Sequence, residues 1–238
     1  MRHLISLVAV AALVACKGDT RTVDAKPGDI ISGDAATSPD VRRQVLIAGD
    51  ATLDKPAPDS FAVTFTTSAG DVDVVVRRAW APRGADRLYW LASRGFFDGA
   101  RFFRVLPGFV AQFGLSGVPA VDKAWDTRAF PDDPATQTNA RGTVVFVNAG
   151  PNTRTTQLFI NLANNGKLDA MGFAPFGEVR RGMDVVDKLY SGYGEGAPYG
   201  SGPDQGNLKR DGNRYLAATY PKLDSIVKTV VTPIGAAQ

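Results

Sequence analysis

Histidine and cysteine are almost missing from this chain of 238 residues, which holds only His3 and Cys16. Both lie in the first sixteen residues, so the remainder has neither an imidazole nor a thiol. Ser-His-Asp and Cys-His nucleophilic catalysis are thereby excluded, as are zinc sites built on His or Cys. A disulfide within one chain is excluded as well. Charge of one sign is also scarce. Lys and Arg number 27 against 24 Asp and Glu, an excess too small and too scattered to mark a nucleic-acid surface. Chemistry must then come from Arg, Lys, carboxylates, hydroxyls, amides or a shaped apolar pocket. No cofactor or metal site is legible. Asp132 and Asp133 read as solvated loop charges rather than a calcium site.

Long apolar runs are absent too. The longest, residues 4–15, is broken only by Ser6. It falls short of the ~20 residues that cross a bilayer. Behind the basic start Met1-Arg2-His3 it fits a secretory signal over residues 1–15. The run ends Leu13-Val14-Ala15-Cys16, which resembles the bacterial lipobox, whose cysteine carries the lipid. The expectation is an exported lipoprotein held at the bacterial cell envelope through Cys16, on the periplasmic side in a Gram-negative host. Residues 16–58 are rich in Asp, Thr, Ala, Gly and Pro and read as a flexible tether. Within it, Ser38-Pro39-Asp40 ahead of Val41, Val45, Leu46 and Ile47 marks a short helix over 39–48.

From residue 59 the pattern changes. Phe61, Val63 and Phe65 alternate with small or polar residues, a turn signal follows at 68–71, and Val72, Val74 and Val76 alternate again. This is a β-hairpin with one buried face. Pro82 opens a helix with Ala85, Leu88, Leu91 and Ala92 on one stripe, and Gly95 stops it. Short strands follow at 101–106, 109–114, 142–147, 156–161 and 173–179, with a second helix from Gly182 and a closing strand within 223–231. Residues 115–141 have no clear period. Residues 191–206 hold six glycines and read as a loop that is mobile or wrapped over the surface; 207–218 adds a third helix. Many short strands with helical covers indicate an antiparallel barrel or sandwich.

Three motifs make the pattern specific. The first is Phe97-Asp98-Gly99, Phe102-Phe103-Arg104-Val105-Leu106, Pro107-Gly108-Phe109 and Gln112. The second is Asn148-Ala149-Gly150-Pro151-Asn152-Thr153 with Thr156-Gln157-Leu158-Phe159-Ile160. The third is Leu168-Asp169 with Phe176-Gly177-Glu178-Val179. In this order and spacing they resemble the cyclophilins, over roughly residues 60 to 190.

The resemblance implies a mainly β fold, an eight-stranded antiparallel barrel capped by two helices, over 59–233. A Gly-rich insertion occupies 191–221 and a tail 234–238. It implies peptidyl-prolyl cis/trans isomerisation on the barrel's outer face, with proline-containing polypeptides as partners; a monomer is the expected state. Arg104 and Gln112 match the catalytic positions. Phe109, Val110, Asn148, Gln157, Phe159, Leu168 and Phe173 match substrate-binding positions. The family usually has His where Phe103 stands, and Phe173 is the nearest equivalent of a second histidine. Lys167 stands where drug-sensitive members have Trp, which implies weak cyclosporin binding. A proline-peptide binding or assembly module with little catalysis is the alternative.

Overall fold

The computed structural model describes residues 39–234; the signal segment, Cys16 and residues 235–238 lie outside them. The alternating run becomes strand β1, Ser60–Thr67, with Phe61, Val63 and Phe65 buried. A two-residue turn at Ser68-Ala69 returns the chain as β2, Gly70–Arg77, in antiparallel register from Thr67↔Gly70 to Ser60↔Arg77. Period-2 alternation sends one side-chain set inward, so Val72, Val74 and Val76 meet the β1 set in the core.

Six further strands complete one sheet: β3 (Arg104–Leu106), β4 (Val110–Phe113), β5 (Thr143–Phe146), β6 (Leu158–Asn161), β7 (Pro175–Arg181) and β8 (Ile226–Pro233). Their order is β3-β4-β6-β5-β7-β2-β1-β8, and every pairing is antiparallel. The sheet curls until its ends meet. Residues ahead of β3 bond to those entering β8, with Phe102 N–H donating to Asp224 O at 3.0 Å and Ile226 N–H to Ala100 O at 2.8 Å. Phe65, Phe97, Phe102 and Phe113 meet inside the curl, with ring centroids 5.0 to 5.9 Å apart.

Six α-helices lie among the described residues, against the four marked in the sequence at 39–48, from Pro82, from Gly182 and over 207–218. Helix α2 (Pro82–Ser93) follows α1 (Pro39–Ala48) and packs Ala85, Leu88 and Leu91 on the core. Its own N-cap residue, Ala81, offers no side-chain acceptor. Asp133 supplies one from 49 residues away, accepting from the backbone N–H of Gly84 at 2.8 Å and Arg83 at 3.1 Å. Asp132 pairs with Arg154 and accepts from Asn152 N–H. Neither carboxylate is the solvated loop charge expected.

Among the described residues, the helix expected over 39–48 forms and is docked on the domain. Helix α1 buries Leu46 against α3 (Pro119–Trp125), whose Trp125 Nε1–H donates to Leu46 O at 2.8 Å. Asp50 then accepts from Trp90 Nε1–H and Arg94 Nε–H of the α2 region. One buried leucine, two indole donors and the arginines Arg94 and Arg128, the latter donating to Ile47 O and Ala48 O, dock a stretch too polar to form a core of its own.

After β7 comes the short α4 (Met183–Asp187), then the insertion with α5 (Gln205–Asp211) and α6 (Asn213–Thr219). The single helix expected over 207–218 is thus two. Gly212, at φ +61°, breaks it where a Cβ would stand 2.2 Å from Gly117 O, and Asn213 N–H donates to that same carbonyl. The insertion wraps the surface and builds its own apolar cluster, with Leu208, Leu216 and Leu223 buried against Phe103 and Leu115. Tyr193, Tyr215 and Tyr220 pack on the same cluster.

Candidate active site

Four adjacent strands carry one outward-facing row. Arg104 on β3 stands opposite Gln112 on β4, Gln112 opposite Phe159 on β6, and Phe159 opposite Val145 on β5. Alternation explains the choice of face. Ala111, Phe113, Leu158, Ile160 and Val144 point into the core, while Val110, Val145, Phe159 and Leu168 form a separate apolar cluster outside it. Phe109, Val147 and Phe173 pack on that outer cluster. The result is a cavity of about 220 Å³ lined by Arg104, Phe109, Val110, Gln112, Val147, Phe159, Leu168, Met171 and Phe173. Phe173 meets Phe159 edge to face at 5.6 Å.

Buried amides hold the cavity's floor. Leu168 lies on the 3₁₀ turn Gly166–Met171, and Asn165 just ahead of it donates to Phe109 O and Asn161 Oδ1 at 2.9 and 2.8 Å. Asn161 donates to Asn139 Oδ1 and Thr143 Oγ1. Asn139 donates to Asp169 Oδ1 and Phe173 O. Each of the three side-chain amides therefore uses both N–H donors, as buried amides require. Burial pushes the Asp169 carboxyl up, but hydrogen bonds from Asn139 and Thr138 outweigh it and hold the group below the usual carboxylate range.

At the cavity's polar end a chain of hydrogen bonds runs across the strands. Arg104 Nη1–H donates to Gln112 Oε1 at 3.1 Å, and Gln112 Nε2–H donates to Gln157 Oε1 at 2.9 Å. The other edge of the guanidinium meets a carboxylate from the insertion. Arg104 Nε–H and Nη2–H donate to Glu195 Oε1 and Oε2 at 2.6 and 2.7 Å. This bidentate contact holds the Glu195 carboxyl below its usual range. Arg104 Cζ and Lys167 Nζ lie 5.7 and 5.4 Å from the Phe109 ring centroid, placing two cations at the slot's rim.

A family model described as cyclophilin type peptidyl-prolyl cis-trans isomerase matches residues 62–203, more than half of the chain. The chain belongs to this family. Its enzyme class is that of the cyclophilin isomerases. A peptidyl-prolyl cis-trans isomerase of Acinetobacter baylyi is 30% identical over 154 residues, covering 63% of this chain and 82% of that one. Peptidyl-prolyl cis-trans isomerase A of Dickeya dadantii is 33% identical over 138 residues, covering 56% and 73%. The fold is shared with a cyclophilin-type isomerase of Cryptosporidium parvum, at a TM-score of 0.55 and 18% identity, covering 74% of this chain and 99% of that one. That parasite isomerase also has a structure in the presence of the dipeptide Ala-Pro.

On this cyclophilin scaffold, seven of the nine residues singled out from sequence line the slot: Arg104, Phe109, Val110, Gln112, Phe159, Leu168 and Phe173. The remaining two, Asn148 and Gln157, line an adjoining cavity that shares Gln112 and Val147 with it. The lipid-attachment residue, Cys16, lies outside the described residues. Sequence reasoning missed Val147, Met171 and Glu195. Val147 continues the outward alternation of β5, so its period was a usable signal. Nothing local marks Glu195, whose partner is 91 residues away. Phe103, at the family's usual histidine position, is 2% exposed and turned away from the slot into the insertion's cluster.

Proposed function

We propose that this chain accelerates cis/trans isomerisation of X-Pro bonds in exported polypeptides at the bacterial cell envelope, using Arg104 as its principal donor. The observation that carries the reading is one guanidinium at the edge of an apolar slot formed by Phe109, Val110, Phe159, Leu168 and Phe173.

Rotation about the bond meets a resonance barrier of ~18–20 kcal/mol, and no covalent bond has to break. In the twisted state the prolyl nitrogen becomes pyramidal and gains a lone pair. Arg104 donates to that nitrogen or to the neighbouring carbonyl, while the slot holds the proline ring. A guanidinium suits the task because it is always charged and its donors are planar. A rate gain of roughly 10⁵ needs about 7 kcal/mol. One charge-assisted hydrogen bond contributes about 1.5–3 kcal/mol, so positioning of the substrate must supply the rest. Gln112 orients Arg104 and reaches a substrate carbonyl. The Asn148 backbone pairs with the peptide as an added strand.

The envelope location rests on the apolar run 4–15 and on Leu13-Val14-Ala15-Cys16. The 22 residues between Cys16 and Pro39 would reach at most about 75 Å, enough for a lipid on Cys16 to leave the slot clear of the bilayer. Arg104→Ala tests the catalytic assignment. In a prolyl-peptide assay of the full chain, kcat/KM should fall by about a hundredfold or more while the fold persists. Labelling of bacteria with a clickable palmitate tests the anchor: label should enter the wild type and be absent from Cys16→Ser.

A further inference from the structure

Glu195 reaches the site from an element that the three family motifs do not include. Its placement is built. The insertion rests on the apolar cluster that covers Phe103, the residue directly before Arg104. Glu195 O accepts from Gly202 N–H at 2.8 Å, and Glu195 Oε1 accepts from Gly196 N–H at 2.9 Å. The backbone around it is too close for side chains. A Cβ on Gly200 would lie 2.4 Å from Glu195 O, and one on Gly202 2.8 Å from it. The Tyr220 hydroxyl donates to Gly202 O at 3.1 Å and ties this cradle to the end of α6. These glycines thus serve close packing around one carboxylate.

The donor count shows what that carboxylate does. A guanidinium has five N–H donors. Glu195 takes the Nε–H and one on Nη2, and Gln112 takes one on Nη1. One donor on each Nη is left. Arg104 lines the slot and Glu195 is not among its lining residues, so the carboxylate holds the arginine from outside the slot's lining. With two of its edges held, the guanidinium cannot swing about its long stem, and the ordering entropy is lost at folding rather than in the transition state.

We infer that Glu195 is a positioning residue for the isomerase reaction, fixing the plane of the Arg104 guanidinium so that its two remaining donors meet the substrate. This rests on the reading of Arg104 as the group that acts on the prolyl bond. Glu195 gives orientation at the expense of net charge, so its loss should lower kcat more than it changes KM.

The test is a double-mutant cycle on the full chain with an Ala-Pro peptide, using Glu195→Gln, Arg104→Ala and the pair, with thermal melting as the check on folding. Glu195→Gln should lower kcat about tenfold with KM within about twofold. In the Arg104→Ala background it should change nothing further. The Arg104 Nε–H resonance in a ¹⁵N spectrum should be sharp and protected in the wild type and lost in Glu195→Gln, and the fall in kcat at nearly constant KM is the readout that a merely structural pair would not produce. Wild-type kcat in a folded Glu195→Gln overturns the inference, and so does a raised kcat, which would make the carboxylate a restraint on Arg104. A fully active Arg104→Ala would instead overturn the underlying reading, and the single variant identifies that case.

Discussion

Asn161 shows how much of the slot depends on single polar groups beneath it. It is fully buried, and its amide joins Asn139, Thr143 and Asn165. Replacing it with Leu keeps the branched outline but strips partners from three buried groups. An unmet buried polar group costs about 1–3 kcal/mol; because Thr143 and Asn165 keep other partners, Asn161→Leu should destabilise the protein by about 3 kcal/mol, the low end for three groups, in denaturant titrations. Unchanged stability would mean that waters replace the amide. Phe103 makes the opposite case. Restoring the family's usual residue with Phe103→His would bury an imidazole among Leu208, Leu216 and Leu223. We expect a loss of about 1–3 kcal/mol and no gain in isomerase rate. Most slot residues were legible one by one, because the motifs list them in chain order. Glu195 was not, because a carboxylate between glycines carries no period and its partner lies far back in the chain, on β3.

Elements with a strong period were legible, and those held by distant contacts were not. The β1–β2 hairpin follows from alternation alone. α2 follows from its Pro82 and apolar stripe, although its cap, Asp133, comes from a segment with no period. α1 carried a start signal in Ser38-Pro39-Asp40, yet its docking depends on Trp125 and Asp50. That dock titrates. Burial raises the Asp50 carboxyl, but hydrogen bonds from Thr52, Trp90 and Arg94 outweigh it and hold the group at about 2 against an ordinary 3.8. A carboxyl lowered in the folded state stabilises above its unfolded pKa and loses that contribution as pH falls through the folded one. α1 should therefore be held fully above about pH 4 and loosen between about pH 4 and 2. Solvent screening of this partly exposed group limits the loss to about 1 kcal/mol. Amide exchange over Pro39–Ala48 checks it: protection should fall with acid in the wild type, and be low at all pH values in Asp50→Asn.

At the scale of the whole molecule, a barrel supplies a rigid outer face and the insertion adds what the face lacks. The face offers an apolar slot and one guanidinium; the insertion covers Phe103 and brings Glu195 to that guanidinium. Among the described residues no helix is long and apolar enough to cross a membrane. The measurement that bears most directly on the account is the isomerisation rate of an Ala-Pro peptide with and without the purified full chain. The account predicts an acceleration that scales with protein concentration and collapses in Arg104→Ala. A folded wild-type protein that binds the peptide but leaves the uncatalysed rate unchanged would contradict it.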